Sequence, residues 1–156
     1  FTQRNSPRAV NPALKTGNYL NNILAIIEAK EKGFDDALML NHDGFVAECT
    51  GDNIFLIKNA RLYTPPAYMG ILEGITRGTV MDLARKMALS AIETPITRYE
   101  LYNADEVFLT GTAAEIIPVI KIDSRPIKNG KPGEITLELI KEFRKFTKTE
   151  GARYAL

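Results

Sequence analysis

Apolar positions along the chain recur with two periods. From Asn18 onward, Leu20, Ile23, Leu24 and Ile27 fall at i, i+3, i+4 and i+7, the spacing of one helical face, and Gly33 supplies a stop. Short apolar runs then predict a hairpin, Ala37 to Leu40 and Phe45 to Ala47 around Asp43-Gly44. A second pair, Ile54 to Ile57 and Leu62 to Tyr63, brackets Asn59-Ala60. Pro65-Pro66 opens a glycine-containing loop, and a second helix is expected from about Thr76 to Leu89 with Val80, Leu83, Ala84 and Met87 inward. Further strands are expected at Ile92 to Ile96, Glu106 to Leu109 and Ile116 to Ile122. A turn over Asn129 to Gly133 precedes a last helix from about Glu134 to Lys148. Hairpins alternate with helices, so a mixed α+β protein with a mixed sheet is expected rather than a purely parallel one. The polar opening stretch with Pro7 and Pro12 reads as a connecting linker over 1–14, leaving 15–156 as one domain.

Composition narrows the function classes. Twenty basic against 19 acidic side chains leave a net charge of +1, which supplies no field for nucleic acid or an anionic membrane. No apolar run is long enough to cross a bilayer and Phe1 to Arg8 lacks a signal-peptide plan, so a cytoplasmic protein is expected. The lone cysteine, Cys49, excludes an internal disulfide and a multi-cysteine zinc site. The lone histidine, His42, sits in the turn-like Asn41-His42-Asp43-Gly44 and reads as a solvated turn residue, so no metal centre is expected.

Four segments carry candidate chemistry. Taken singly, each has an ordinary reading: Lys15 as a solvated cation, Tyr19 as a half-buried aromatic, Glu48 as an acid at a strand end, and Thr76 as a helix N-cap. Their wording and order say more. Lys15-Thr16-Gly17-Asn18-Tyr19-Leu20-Asn21-Asn22 resembles the lysine segment of class IV aminotransferases, the enzymes of pyridoxal-phosphate (PLP) fold type IV. Glu48-Cys49-Thr50-Gly51-Asp52-Asn53-Ile54-Phe55, continued through Leu62-Tyr63-Thr64 to Leu72-Glu73-Gly74-Ile75-Thr76-Arg77, fits that family's long signature over its whole span. Thr110-Gly111-Thr112-Ala113-Ala114-Glu115 is most similar to the branched-chain amino-acid type.

The resemblance implies the large C-terminal domain of the D-amino acid/branched-chain aminotransferase-like fold, a mixed sheet or pseudo-barrel flanked by helices. It implies PLP as cofactor, with Lys15 forming the imine and shuttling the α-proton of branched-chain amino acids, and 2-oxoglutarate as the second substrate. Tyr19 then partners the ring oxygen, Glu48 the pyridine nitrogen, and Leu72 packs near the ring. Ile75, Thr76, Gly111 and Thr112 cradle the phosphate, and Thr112 and Ala113 meet the substrate carboxylate. Asn53 is read as a residue that holds strand and loop around Glu48. A homodimer or higher homo-oligomer is also implied.

The family's smaller N-terminal domain has no counterpart here, Arg4 and Arg8 are given no role, and a fragment is expected. Two relatives of the same fold, D-amino acid aminotransferase and aminodeoxychorismate lyase, share the lysine and the glutamate, but the Thr-Gly-Thr-Ala-Ala-Glu turn argues against both. A non-catalytic fragment is the alternative from another class.

Overall fold

The structure is a computed structural model and describes residues 2–150. It is a mixed α+β fold of ten strands and four helices among these residues. A five-stranded sheet, ordered β6-β5-β4-β7-β8, is built from Ala91–Glu93 (β6), Arg61–Thr64 (β5), Asn53–Lys58 (β4), Glu106–Gly111 (β7) and Glu115–Val119 (β8). Its strands are antiparallel except for the parallel β5–β6 pair. Thr2–Gln3 (β1), Leu38–Leu40 (β2) and Val46–Cys49 (β3) form a second sheet, and Lys121–Ile122 (β9) pairs with Arg125–Pro126 (β10).

Alternation along β4 and β7 builds two cores. Phe55, Ile57 and Phe108 point to one face, under Ile75–Lys86 (α2) and Glu134–Thr149 (α4), where Val80, Leu83, Ala84, Leu139 and Phe143 meet them. Phe55 and Phe108 are register partners and their rings stack at 5.0 Å. Ile54, Leu56, Val107 and Leu109 point to the other face and pack with Val46 and Cys49 of the smaller sheet, so the two sheets share a core.

The β4–β5 hairpin turns on Asn59 and Ala60, both at positive φ, the backbone that a two-residue turn between twisted strands demands. Helix α4 starts at Gly133 without a side-chain cap of its own. Glu106 of β7 supplies it instead, accepting from the N–H groups of Ile135 and Thr136 and from the Thr136 hydroxyl.

The structure departs from the sequence expectations in four places. The first helix, Leu20–Glu31 (α1), turns its apolar stripe outward: Leu20, Ile23, Leu24 and Ile27 are 71%, 45%, 56% and 47% exposed, while Asn22, Ala25 and Ala29 are buried. Small residues let the helix lie close to the body, which decides its inner face. Arg98–Tyr102 (α3) was not expected, yet Thr97 and Glu100 form a capping box at its start. The strand expected over Ile92 to Ile96 is only β6, and the segment 116–122 is divided between β8 and β9 at Ile120. Ahead of these elements, β1 pairs in parallel with β2, and the N–H of Arg4 donates to the Leu40 carbonyl at 2.6 Å.

Candidate functional site

Glu48 is the electrostatic centre. It stands near the end of β3, only 5% exposed. Arg4 meets its Oε1 through Nη2 at 2.6 Å, while the Leu72 N–H and Asn53 Nδ2 donate to Oε2 at 2.9 and 3.1 Å. Burial pushes the carboxyl up from 4.5 to about 7, against the opposing pull of Arg4, the Leu72 N–H and the charge of Lys15. Lys15 thus lies close enough for Glu48 to feel it, although the two are 33 positions apart by their numbers.

Lys15 follows the short 3-10 turn Pro12–Leu14, which Asn11 caps, and is itself left-handed at φ 47, ψ 44. That backbone costs a β-carbon-bearing residue roughly 1–2 kcal/mol, and such outliers gather at functional sites. The lysine side chain is exposed. One turn later the Tyr19 hydroxyl donates to the Thr50 carbonyl, which also accepts from Asn22 Nδ2 at 2.6 Å. Burial raises the Tyr19 phenol, so it is a proton donor at neutral pH. Asn22 Oδ1 in turn accepts from Arg4 Nη1 at 2.6 Å, joining the surroundings of Tyr19 and Glu48 into one network.

Asn53 links this network to the two segments expected to hold phosphate. Its Nδ2 donates to the Leu72 carbonyl at 2.7 Å as well as to Glu48, and its Oδ1 lies where a β-carbon on Gly74 would have to be. Gly74 therefore lets the start of α2 settle against β4. Ile75 and Thr76 are the first helical residues: Thr76 is buried, while the Ile75 side chain is 85% exposed, leaving its backbone N–H as the group able to contribute to a cradle. Arg77 pins the same turn by donating to the Pro65 carbonyl at 3.0 Å and to Glu93.

Asn53 also pairs across the sheet with Thr110, the residue before the β7–β8 turn. The buried Thr110 hydroxyl has no partner among the described residues. Gly111 leaves room for Asp52 Oδ1, which lies where a β-carbon would stand and would have to swing away from any larger residue there. Thr112 and Ala113 follow, exposed, at the tip. The network joins Tyr19, Glu48 and Leu72, and its anchor Asn53 touches both the α2 start and the strand leading into the Thr112–Ala113 turn; Lys15 makes no hydrogen bond to it and acts on Glu48 only through its charge. Arg4 and Asn22 belong to it although the sequence reading passed over them. Only the motif position of Asn22 and the charge of Arg4 could have signalled them.

Other candidates fall outside. His42 is exposed in its turn, beside Asp43, with Asn41 closing the loop. Cys49 alternates with Glu48 on β3 and faces away, into a recess of about 650 Å³ lined also by Leu38, Ile54, Leu109 and Ile117. None of the expected site residues lines that recess. Among the described residues there is no group of three or more His, Cys, Asp or Glu able to hold a metal, and no helix long and apolar enough to cross a membrane.

Comparison with known proteins adds the following. The pattern that defines amino-transferase class IV matches residues 2–122. A putative branched-chain-amino-acid aminotransferase of Methanocaldococcus jannaschii is 53% identical over 135 residues, 86% of this chain and 47% of that protein. The crystal structure of a branched-chain aminotransferase of Thermoproteus uzoniensis with norvaline superposes with a TM-score of 0.88 at 45% identity, over 92% of this chain and 48% of that one. A branched-chain amino acid aminotransferase of Thermobaculum terrenum in its PLP form gives 0.89 at 45% identity, over 92% and 47%. The chain spans about half the length of the relatives it matches.

Proposed function

Because the chain belongs to the class IV aminotransferases, we propose that it is the PLP-holding part of a branched-chain amino-acid aminotransferase. The observation that carries this reading is the buried Glu48 carboxylate in the field of Lys15, beside the glycine-fitted start of α2. The residues present fit PLP: an amine, a carboxylate for the ring nitrogen, a phenol for the ring oxygen and backbone N–H groups at a helix start for the phosphate. When bound, PLP supplies an electron sink for the bond broken at the substrate's α-carbon.

The chain's own groups do the rest. Lys15 Nζ attaches the cofactor and, once an amino acid takes that place, holds and moves the α-proton. Glu48 keeps the ring nitrogen protonated through a charge-assisted hydrogen bond. Tyr19 turns its hydroxyl proton from the Thr50 carbonyl to the ring oxygen, and that carbonyl stays satisfied by Asn22. Leu72, whose N–H fixes Glu48, packs by the ring. Ile75, Thr76, Gly111 and Thr112 hold the phosphate, and the N–H groups of Thr112 and Ala113 orient the substrate carboxylate. Branched-chain L-amino acids as donors and 2-oxoglutarate as acceptor, used in turn, complete the reading.

A homodimer or higher homo-oligomer belongs to the same proposal, supported by the outward apolar stripe of α1, as does a cytoplasmic location. The test is a substrate panel on the PLP-loaded protein. Glutamate formed from 2-oxoglutarate with leucine, valine or isoleucine supports the reading. Turnover confined to D-alanine, or pyruvate released from aminodeoxychorismate, overturns it.

A further inference from the structure

We propose that Arg4, oriented by Asn22, is a positioning residue that supplies the fixed counter-charge of Glu48 and aims its carboxylate at the cofactor's ring nitrogen. This rests on the proposed role of Glu48 and extends it to two residues outside the motifs.

Arg4 is held from every side. Its N–H donates to the Leu40 carbonyl of β2 at 2.6 Å. The neighbouring backbone is clamped to α1, with the Asn5 N–H donating to Asn21 Oδ1 at 2.9 Å and Asn21 Nδ2 to the Gln3 carbonyl at 3.0 Å. The guanidinium then reaches Asn22 Oδ1 and Glu48 Oε1, both at 2.6 Å. A buried ion pair is a poor way to stabilise a fold, since removing two charges from water offsets most of their attraction. This pair even leaves Arg4 Nε buried without a partner among the described residues. Its retention asks for a reason other than stability.

The charges facing Glu48 supply one. They are Arg4, from the segment after β1, and Lys15, from the turn before α1; the remaining contacts are the neutral Leu72 N–H and Asn53 amide. Burial drives Glu48 toward its neutral form, so it depends on those cations. A neutral carboxyl cannot hold a proton on the ring nitrogen. Lys15 would be committed to holding the cofactor and moving a proton, so its charge would vary, whereas a guanidinium stays charged throughout the working pH range. Arg4 is the counter-charge that persists, and Asn22, which also serves the Thr50 carbonyl beside Tyr19, keeps its fork in place.

The test is a ¹³C NMR titration of the Glu48 side-chain carboxyl in the cofactor-free chain, assigned by its loss in Glu48→Gln. The unsubstituted chain is expected to titrate at about 7. Arg4→Gln raises the midpoint by about 1–3 pH units, and Asn22→Ser raises it by less in the same direction. Arg4→Lys, which keeps the charge, returns the midpoint toward that of the unsubstituted chain, a rescue that a purely structural Arg4 would not give. Because the readout needs no PLP, a chain that shows these shifts but binds no PLP contradicts the proposed function and leaves the pairing standing. A midpoint that stays where it was in either Arg4→Gln or Asn22→Ser overturns the inference.

Discussion

Asn53 and Gly74 form the joint between Glu48 and the start of α2, and a double-substitution cycle measures it. Asn53 Nδ2 donates to Glu48 Oε2 at 3.1 Å and to the Leu72 carbonyl at 2.7 Å, so its Oδ1 is fixed over Gly74. Asn53→Ala loses one bond to a charged group and one neutral bond, together about 3 kcal/mol. Gly74 has φ −65 and ψ 141, a backbone open to any residue, so Gly74→Ala carries no conformational cost of its own. Its cost is the overlap with Asn53 Oδ1, about 2 kcal/mol as overpacking. With Asn53→Ala in place that overlap is gone, and the alanine contributes about 0.4–1 kcal/mol by restricting the unfolded chain. That last contribution is common to the single and the double variant and cancels, so the pair is expected to cost about 2 kcal/mol less than the sum of the singles, the relieved overlap alone. Urea unfolding with a constant slope reads all four chains, and Asn53→Ala alone should lower the melting temperature by roughly 6–12 °C. Single costs that add to within about 0.5 kcal/mol would refute the joint.

Other expectations follow from the same contacts. Glu48 titrates at about 7 in the folded chain against an ordinary 4.5, so the folded state binds the extra proton between those values. Its contribution to stability is complete below pH 4.5 and falls as pH rises to about 7, by about 3 kcal/mol. The difference in unfolding free energy between the unsubstituted chain and Glu48→Gln should trace that slope, and a pH-independent difference speaks against it. Arg77→Met strands the buried Pro65 carbonyl and should cost about 2–3 kcal/mol in thermal unfolding. Ile23→Glu with Leu24→Glu, on the exposed stripe of α1, should leave monomer stability within about 0.5 kcal/mol but reduce self-association in sedimentation; unchanged association removes α1 as the contact.

The sequence disclosed some layers of this architecture and concealed others for definite reasons. Both hairpins and helices α2 and α4 were legible because turn residues punctuate strict periodicity, as at Asp43-Gly44 and Asn59-Ala60. Periodicity found α1 but not its orientation, since an apolar stripe marks a surface to be covered without saying by what. The box Thr97/Glu100 was readable, but a five-residue helix leaves too short a pattern behind it. Glu48 and Lys15 could be nominated from motif wording, whereas Arg4 could not. The partner of Arg4 lies 44 positions away, and only the folded chain, with β1 laid beside β2, brings them together.

The attachment point of the cofactor is the most direct measurement of the proposed site. PLP added to the chain, fixed with borohydride and located by peptide mass spectrometry, is expected on Lys15, with the label lost in Lys15→Ala. Label spread over other lysines, with none enriched at Lys15, would contradict a site assembled from Lys15, Glu48 and the start of α2.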